Sequence, residues 1–257
     1  MLYKWGNGMF LYQLQPAFIS NRFDAFTWLF MLTGLPQYLL NNPVACIIAD
    51  ALYYTMPALA YLAAARSQRL LTTVAIGMLM VNWCYLQCYP LYGITSIEGY
   101  TGWLLMPLLF IPRSPRTFAF LLLGGRYFFL FFFASAGIWK VVQGGVFYSS
   151  QMSGVLLYQH KELFTQQPFG WHAKLLWQVV ASGWGYALYV AATLAEIAFV
   201  TGFFTKRFDR WLIVVFLLFL FTDHWLMRIP YYETLPWLLT LWFSQRAAKE
   251  VPVSSFG

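Results

Sequence analysis

Runs of about 20 apolar residues recur from one end of the chain to the other, separated by short basic connections such as "RSQR", "PRSPR" and "TKRFDR". A helix of that length crosses the hydrocarbon core of a bilayer. A soluble domain needs far more polar surface than 257 residues that are 60% hydrophobic and 10% charged, with a mean hydropathy of +0.59, can supply. The expected fold class is therefore all-α and polytopic, a single integral membrane domain over residues 1–257 with the lipid bilayer as its first partner. Eight candidate spans lie near residues 24–40, 44–65, 70–90, 97–112, 117–141, 186–203, 211–228 and 232–244. The first and last are short, roughly 17 and 13 residues against the roughly 20 that a perpendicular helix requires.

The basic residues orient this scheme. Lys4, Arg22, Arg66, Arg69, Arg113, Arg116, Lys206, Arg207, Arg210, Arg246 and Lys249, 11 of the 16, fall on one side of the eight spans. Lys161, Lys174 and Arg228 fall on the other, and Arg126 and Lys140 lie within a span. By the positive-inside rule both termini and the basic loops are expected to be cytoplasmic. The net charge of +7 is then a topological signal, since no basic cluster is long enough to follow a nucleic-acid backbone. The N-terminus lacks the basic, apolar and small-residue order of a removable signal peptide.

The longest connection, 142–172, is expected to face outward. Its mixture of Gly, Ser, Gln and aromatic residues resembles neither a linker nor a span, and its length suggests a re-entrant or interfacial segment. Residues 173–182 are expected to form an interfacial helix before "SGWG" bends the chain at Gly183 and Gly185.

The stretch "RYFFLFFFASAGIWK" places two cations on one hydrophobic helix. Arg126 and Lys140 are separated by about 21 Å of helix and lie close to the same face. An unpaired Arg at mid-membrane costs at least ~2.5–3.5 kcal/mol, so Arg126 should face the bundle interior and meet an acid. Glu196 in "TLAEIAF" is the expected partner, with Asp223 and Asp50 as the other acids of an intramembrane polar network. Lys140 either snorkels into the headgroups or sits desolvated beneath the outer loop, where a neutral amine could act as a base. The preceding "ASAG", Ala134 to Gly137, permits close helix packing.

The order Arg-Tyr, a Phe-rich span, "AGIWK", an outer loop with a histidine, a mid-span Glu and "TDHWLMRI" resembles the membrane domain of vitamin K-dependent gamma-glutamyl carboxylases and their bacterial relatives, the horizontally transferred transmembrane family. The resemblance is most evident over 117–240. It implies an integral protein of a bacterial inner membrane, with Lys140 as a catalytic base toward a quinol and His160 and His224 as further catalytic candidates. No metal or haem is implied. The carboxylases usually carry a second lysine and a tryptophan shortly after the motif, whereas here Trp139 precedes Lys140 and "VVQGGVF" follows. They also carry a large extramembrane region for a peptide substrate. These departures shift the expectation from protein carboxylation toward a small amphiphilic substrate.

Other constellations are weaker. Cys84 and Cys88 stand one helical turn apart with no accompanying histidine, and with Cys46 they read as packing residues. His224 reads as a hydrogen-bonded neighbour of Asp223, and His172 beside Trp171 as an interfacial anchor. Three functional readings remain open: a carboxylase-like oxidoreductase or lyase using Lys140, a non-catalytic subunit or assembly factor of a larger membrane complex, and a small transporter, for which internal repeats are lacking. The orientation is directly testable. A cysteine introduced at Ser149 should react with an impermeant thiol reagent added from outside, and labelling from the cytoplasmic side alone would invert the scheme.

Overall fold

The computed structural model describes residues 5–6, 10–14, 25–88, 110–227 and 232–243. Their regular elements are all helical, with no strand among the described residues. Among the described residues five helices are long and apolar enough to cross a membrane: Pro43–Ala64, Gln68–Cys88, Pro115–Val142, Trp184–Phe204 and Asp209–Met227. These correspond to five of the eight expected spans. The expected span near 97–112 lies, up to residue 109, outside the described residues. The remaining two differ from expectation. The first is broken into α1 (Ala25–Leu32) and α2 (Leu35–Asn41), because Gly34 adopts φ +69° and Pro36 begins a new helix. The Thr33 hydroxyl donates to the Phe30 carbonyl and accepts from Leu35 N, completing the break. The last expected span is a short apolar helix, Thr234–Phe243, entered through a 3-10 segment that contains Pro236.

The chain divides into two compact units, Met1–Phe118 and Ala119–Gly257. In the first, α3 (Pro43–Ala64) and α4 (Gln68–Cys88) form an antiparallel hairpin. Asn42 caps α3 by accepting from Val44 N and Ala45 N, with Pro43 in the first turn, and Ser67 Oγ accepts from Leu70 N at the start of α4. Ala60, Ala63 and Ala75 are buried in the hairpin. Asp50 is buried too, and its carboxylate accepts three hydrogen bonds: from Tyr85 Oη at 2.6 Å, Leu11 N at 3.0 Å and Tyr12 N at 3.1 Å. All three donors belong to its own unit, so Asp50 fastens the 3-10 turn Leu11–Gln13 to the hairpin. Tyr85 is held for this by stacking on Tyr53, with ring centroids 3.9 Å apart.

The second unit is built on α5 (Pro115–Val142), which enters through Ser114, whose Oγ accepts from Thr117 N, and Pro115 in the first turn. Leu122, Arg126, Phe129, Leu130, Phe133, Ala134 and Gly137 are buried, one stripe at helical spacing, while Phe131 on the opposite face is 62% exposed. Phe129 and Phe133 meet Phe216 edge-on at 5.0 and 4.8 Å, and Phe199 joins them at 5.7 and 5.0 Å. The segment from 143 to 183 folds into α6 (Gln151–Gln159), α7 (Lys161–Gln166) and α8 (Trp171–Ala181). Leu156 and Leu176 bury their side chains against Leu226. The expected interfacial helix near 173–182 corresponds to α8. Then come α9 (Trp184–Ala198), α10 (Thr201–Phe204), α11 (Asp209–Thr222) and a π-helix, Asp223–Met227.

At Gly137 the backbone of α5 comes close to α9. A Cβ there would lie 2.9 Å from Glu196 Cβ and Ile197 Cγ1 and 3.0 Å from the Ile197 backbone nitrogen, which cannot retreat. Gly124 on the same helix has open space around its Cα. Gly137→Ala should therefore lower stability by about 1–3 kcal/mol through overpacking, whereas Gly124→Ala should be neutral or stabilising by up to about 1 kcal/mol. Thermal unfolding of the two variants in detergent compares them.

Candidate functional site

Both cations of the Phe-rich helix are paired with acids, but not in the expected combination. Arg126 is fully buried and binds Asp209, Nη2 to Oδ1 at 2.6 Å and Nε to Oδ2 at 2.9 Å, with Asp209 1% exposed. Its Nη2 also donates to the Gly202 carbonyl at 2.7 Å and the Thr205 carbonyl at 3.4 Å. The guanidinium thus satisfies carbonyls at the C-terminal end of one spanning helix and a carboxylate in the first turn of the next, both favoured by the helix dipoles. Arg126 is level with the turn joining these helices rather than halfway across. The reason is length. With 28 residues, α5 runs about 42 Å, against 21 and 19 residues for Trp184–Phe204 and Asp209–Met227, so a residue three turns into it lies beside its neighbours' ends. In that turn, burial lowers the Lys206 amine from its ordinary value of 10.5 and the Arg126 charge lowers it further, with Asp209 opposing.

Glu196 belongs to Lys140. Lys140 Nζ lies 2.7 Å from Glu196 Oε1, the lysine side chain 30% exposed and the glutamate 5%. Side chains on a helix lean toward its N-terminus, so Lys140 extends over the position three residues earlier, Gly137, where the missing side chain admits Glu196. The ring of Tyr189 completes the cluster, its centroid 5.7 Å from Nζ. Gly145 makes room for that phenol, since a Cβ there would meet Tyr189 Oη at 2.7 Å. The sequence reading missed both Asp209 and Tyr189. Tyr189 could have been found from its spacing: residues 189, 193 and 196 share one face of α9. Asp209 was hidden among the basic residues of "TKRFDR", where it looked like loop charge.

The remaining candidates are placed elsewhere. His160 is 1% exposed; its Nε2 is 2.5 Å from the Leu226 carbonyl and its ring meets that of His172 edge-on at 5.6 Å. His172, expected as an interfacial anchor, is packed between this ring and Trp225. His224 lies against Tyr232, ring centroids 5.5 Å apart. Asp223 opens the π-helix and lines a cavity of about 310 Å³ between α9 and α11. Cys84 and Cys88 line an apolar cavity of about 360 Å³ in the first unit, and the Cys46 thiol donates to the Leu39 carbonyl. Among the described residues no group of three or more His, Cys, Asp or Glu side chains could hold a metal ion.

The two ion pairs should respond unequally to loss of the acid. Asp209→Asn leaves a fully buried guanidinium without its counter-ion and should cost about 3–5 kcal/mol. Glu196→Gln should cost distinctly less, because the Lys140 ammonium retains contact with its surroundings through its exposed third. Equal losses in unfolding experiments would contradict this ordering. No protein-family model, curated protein or solved structure matches this chain, so geometry alone bears on what the site does.

Proposed function

We propose that this chain is a carboxylase-like integral membrane protein whose Lys140–Glu196 pair handles a proton of a quinol or related amphiphile. The observation that supports this reading is the pair itself: a carboxylate and an ammonium at 2.7 Å, flanked by a phenol, between two spanning helices and with the lysine partly accessible. The division of labour differs from that of a neutral lysine base. An ammonium has no lone pair with which to take a proton, so Glu196 is the acceptor. The phenolic O–H of the substrate gives its proton to the Glu196 carboxylate, and the oxyanion that remains is held by the Lys140 ammonium. Tyr189 orients the lysine through its ring face. The site is read as outward-facing, with both termini cytoplasmic, on the strength of the basic-loop asymmetry, and the bacterial inner membrane is what the carboxylase-like resemblance implies.

A non-catalytic subunit of a larger membrane complex is the second reading. It is favoured by the neutralisation of both helix cations within the chain, and by the cavity at Asp223 being lined by residues other than Lys140. Oxidation of a short-chain naphthoquinol by dissolved oxygen, which begins with loss of the phenolic proton, separates the two in nanodiscs. The native chain should accelerate it. Glu196→Gln and Lys140→Met should each lower that acceleration by about 10²-fold or more while the protein stays folded. No acceleration by the native chain, or unchanged rates in both variants, would leave the subunit reading standing.

A further inference from the structure

Three arginines distant in sequence meet at one end of the hairpin in the first unit. Arg66 lies in the turn between α3 and α4, and Arg69 in the first turn of α4. The segment that leads into α5 folds back onto them: Phe110 packs against Ala60, Ala63 and Leu71, and Gln68 Nε2 reaches the Pro112 carbonyl at 3.5 Å, which brings Arg113 to the same corner. All three are exposed, and none forms an ion pair among the described residues. Asp50, the one acid among the described residues of this unit, lies 14 residues, about 21 Å, before α3 ends at Ala64, and its carboxylate already accepts three hydrogen bonds. The partial positive charge at the start of α4 adds to that of the arginines.

From this corner an apolar track runs down the hairpin. Ile76 and Met80 stand seven and eleven residues beyond Arg69, on the same face of α4, and both are exposed. Met80, with Ile48 and Leu52 from α3, then lines the apolar cavity of about 360 Å³. Arg69 and Met80 are about 16 Å apart along the helix, and one leaflet of a hydrocarbon core about 30 Å thick is about 15 Å deep. We propose that this side of the hairpin binds one anionic phospholipid, with its phosphate on Arg66, Arg69 and Arg113 and one acyl chain laid along Ile76 and Met80 into the cavity.

Both ends of the site are needed to name its occupant. Guanidinium forks pair with phosphate oxygens in a bidentate way, and a corner without an acid favours a head that is anionic over one that brings its own cation. A free phosphate would use the arginines and leave the track and cavity idle. A packed helix, about 10–12 Å across, is too wide for the cavity and has no use for three cations. An acyl chain is thin enough, and a leaflet's depth brings its end to Met80.

The full-length protein in detergent, titrated with phosphatidylglycerol and phosphatidylcholine of the same acyl chains and with bound lipid counted by native mass spectrometry, tests the proposal. One phosphatidylglycerol should be retained at least tenfold more tightly than phosphatidylcholine, and soluble glycerol phosphate should not displace it. Arg69→Gln combined with Arg113→Gln should remove the preference, whereas Arg207→Gln combined with Arg210→Gln, which takes two exposed cations from the turn before α11, should change it by less than twofold. Ala49→Phe, which fills the cavity, should weaken retention of both lipids by tenfold or more. Equal affinity for the two lipids in the native chain would overturn the assignment, whether or not any variant folds. So would equal losses in the two double variants, displacement by glycerol phosphate, or native affinity in Ala49→Phe.

Discussion

The second unit depends on one buried ion pair. Arg126 is placed in the middle of an otherwise apolar stripe, where an unpaired guanidinium would be prohibitively costly, and Asp209 with the Gly202 and Thr205 carbonyls removes that cost. Because the guanidinium is planar and its Nε and Nη2 address both carboxylate oxygens, the arrangement is directional. It fixes three pieces of backbone at once: the middle of α5, the end of α10 and the start of α11. With these ends clamped, the phenylalanines of α5 can interlock with Phe199 and Phe216 in a single register.

That register carries upward to the second pair. Three turns beyond Arg126 on the same face, Gly137 lets α9 approach to backbone distance, and the approach brings Glu196 under Lys140. The two cations therefore play different parts. Arg126 is sealed and its role is architectural, whereas Lys140 remains partly exposed beside an acid and a phenol, which is the geometry on which the proposed proton handling rests. A side chain at Gly137 would separate α5 from α9 and with them the lysine from its carboxylate.

The segment from 143 to 183 has a comparable supporting function. Its short helices cover the end of the bundle and bury His160 against the π-helix, so the loop is a packed layer rather than a tether. Through that histidine the layer holds the backbone at Asp223, where the bundle's other cleft begins.

The amino-acid sequence by itself determined the membrane class, five of the helices and their approximate ends, because apolar length and capping residues such as Asn42, Ser114 and Pro115 are local properties of the chain. It also showed that Arg126 and Lys140 lie close to the same face and that Arg126 must meet an acid, since helical periodicity and the cost of a bare charge need no tertiary knowledge. The break at Gly34 was not foreseen: "TGLP" carries a glycine and proline signal, but the hydrophobic run around it read as one span over 24–40. Only the tertiary structure decided which acid meets which cation. Partner choice depends on how far each helix extends past its neighbour and on the angle at which the two cross. Those quantities follow from the 28-residue length of α5 and the missing side chain at Gly137 acting together, and residue counting from span centres assigns Glu196 to the wrong charge. The same holds for Asp50, whose donors come from residues 11, 12 and 85, distant in sequence and adjacent only once the helices have packed.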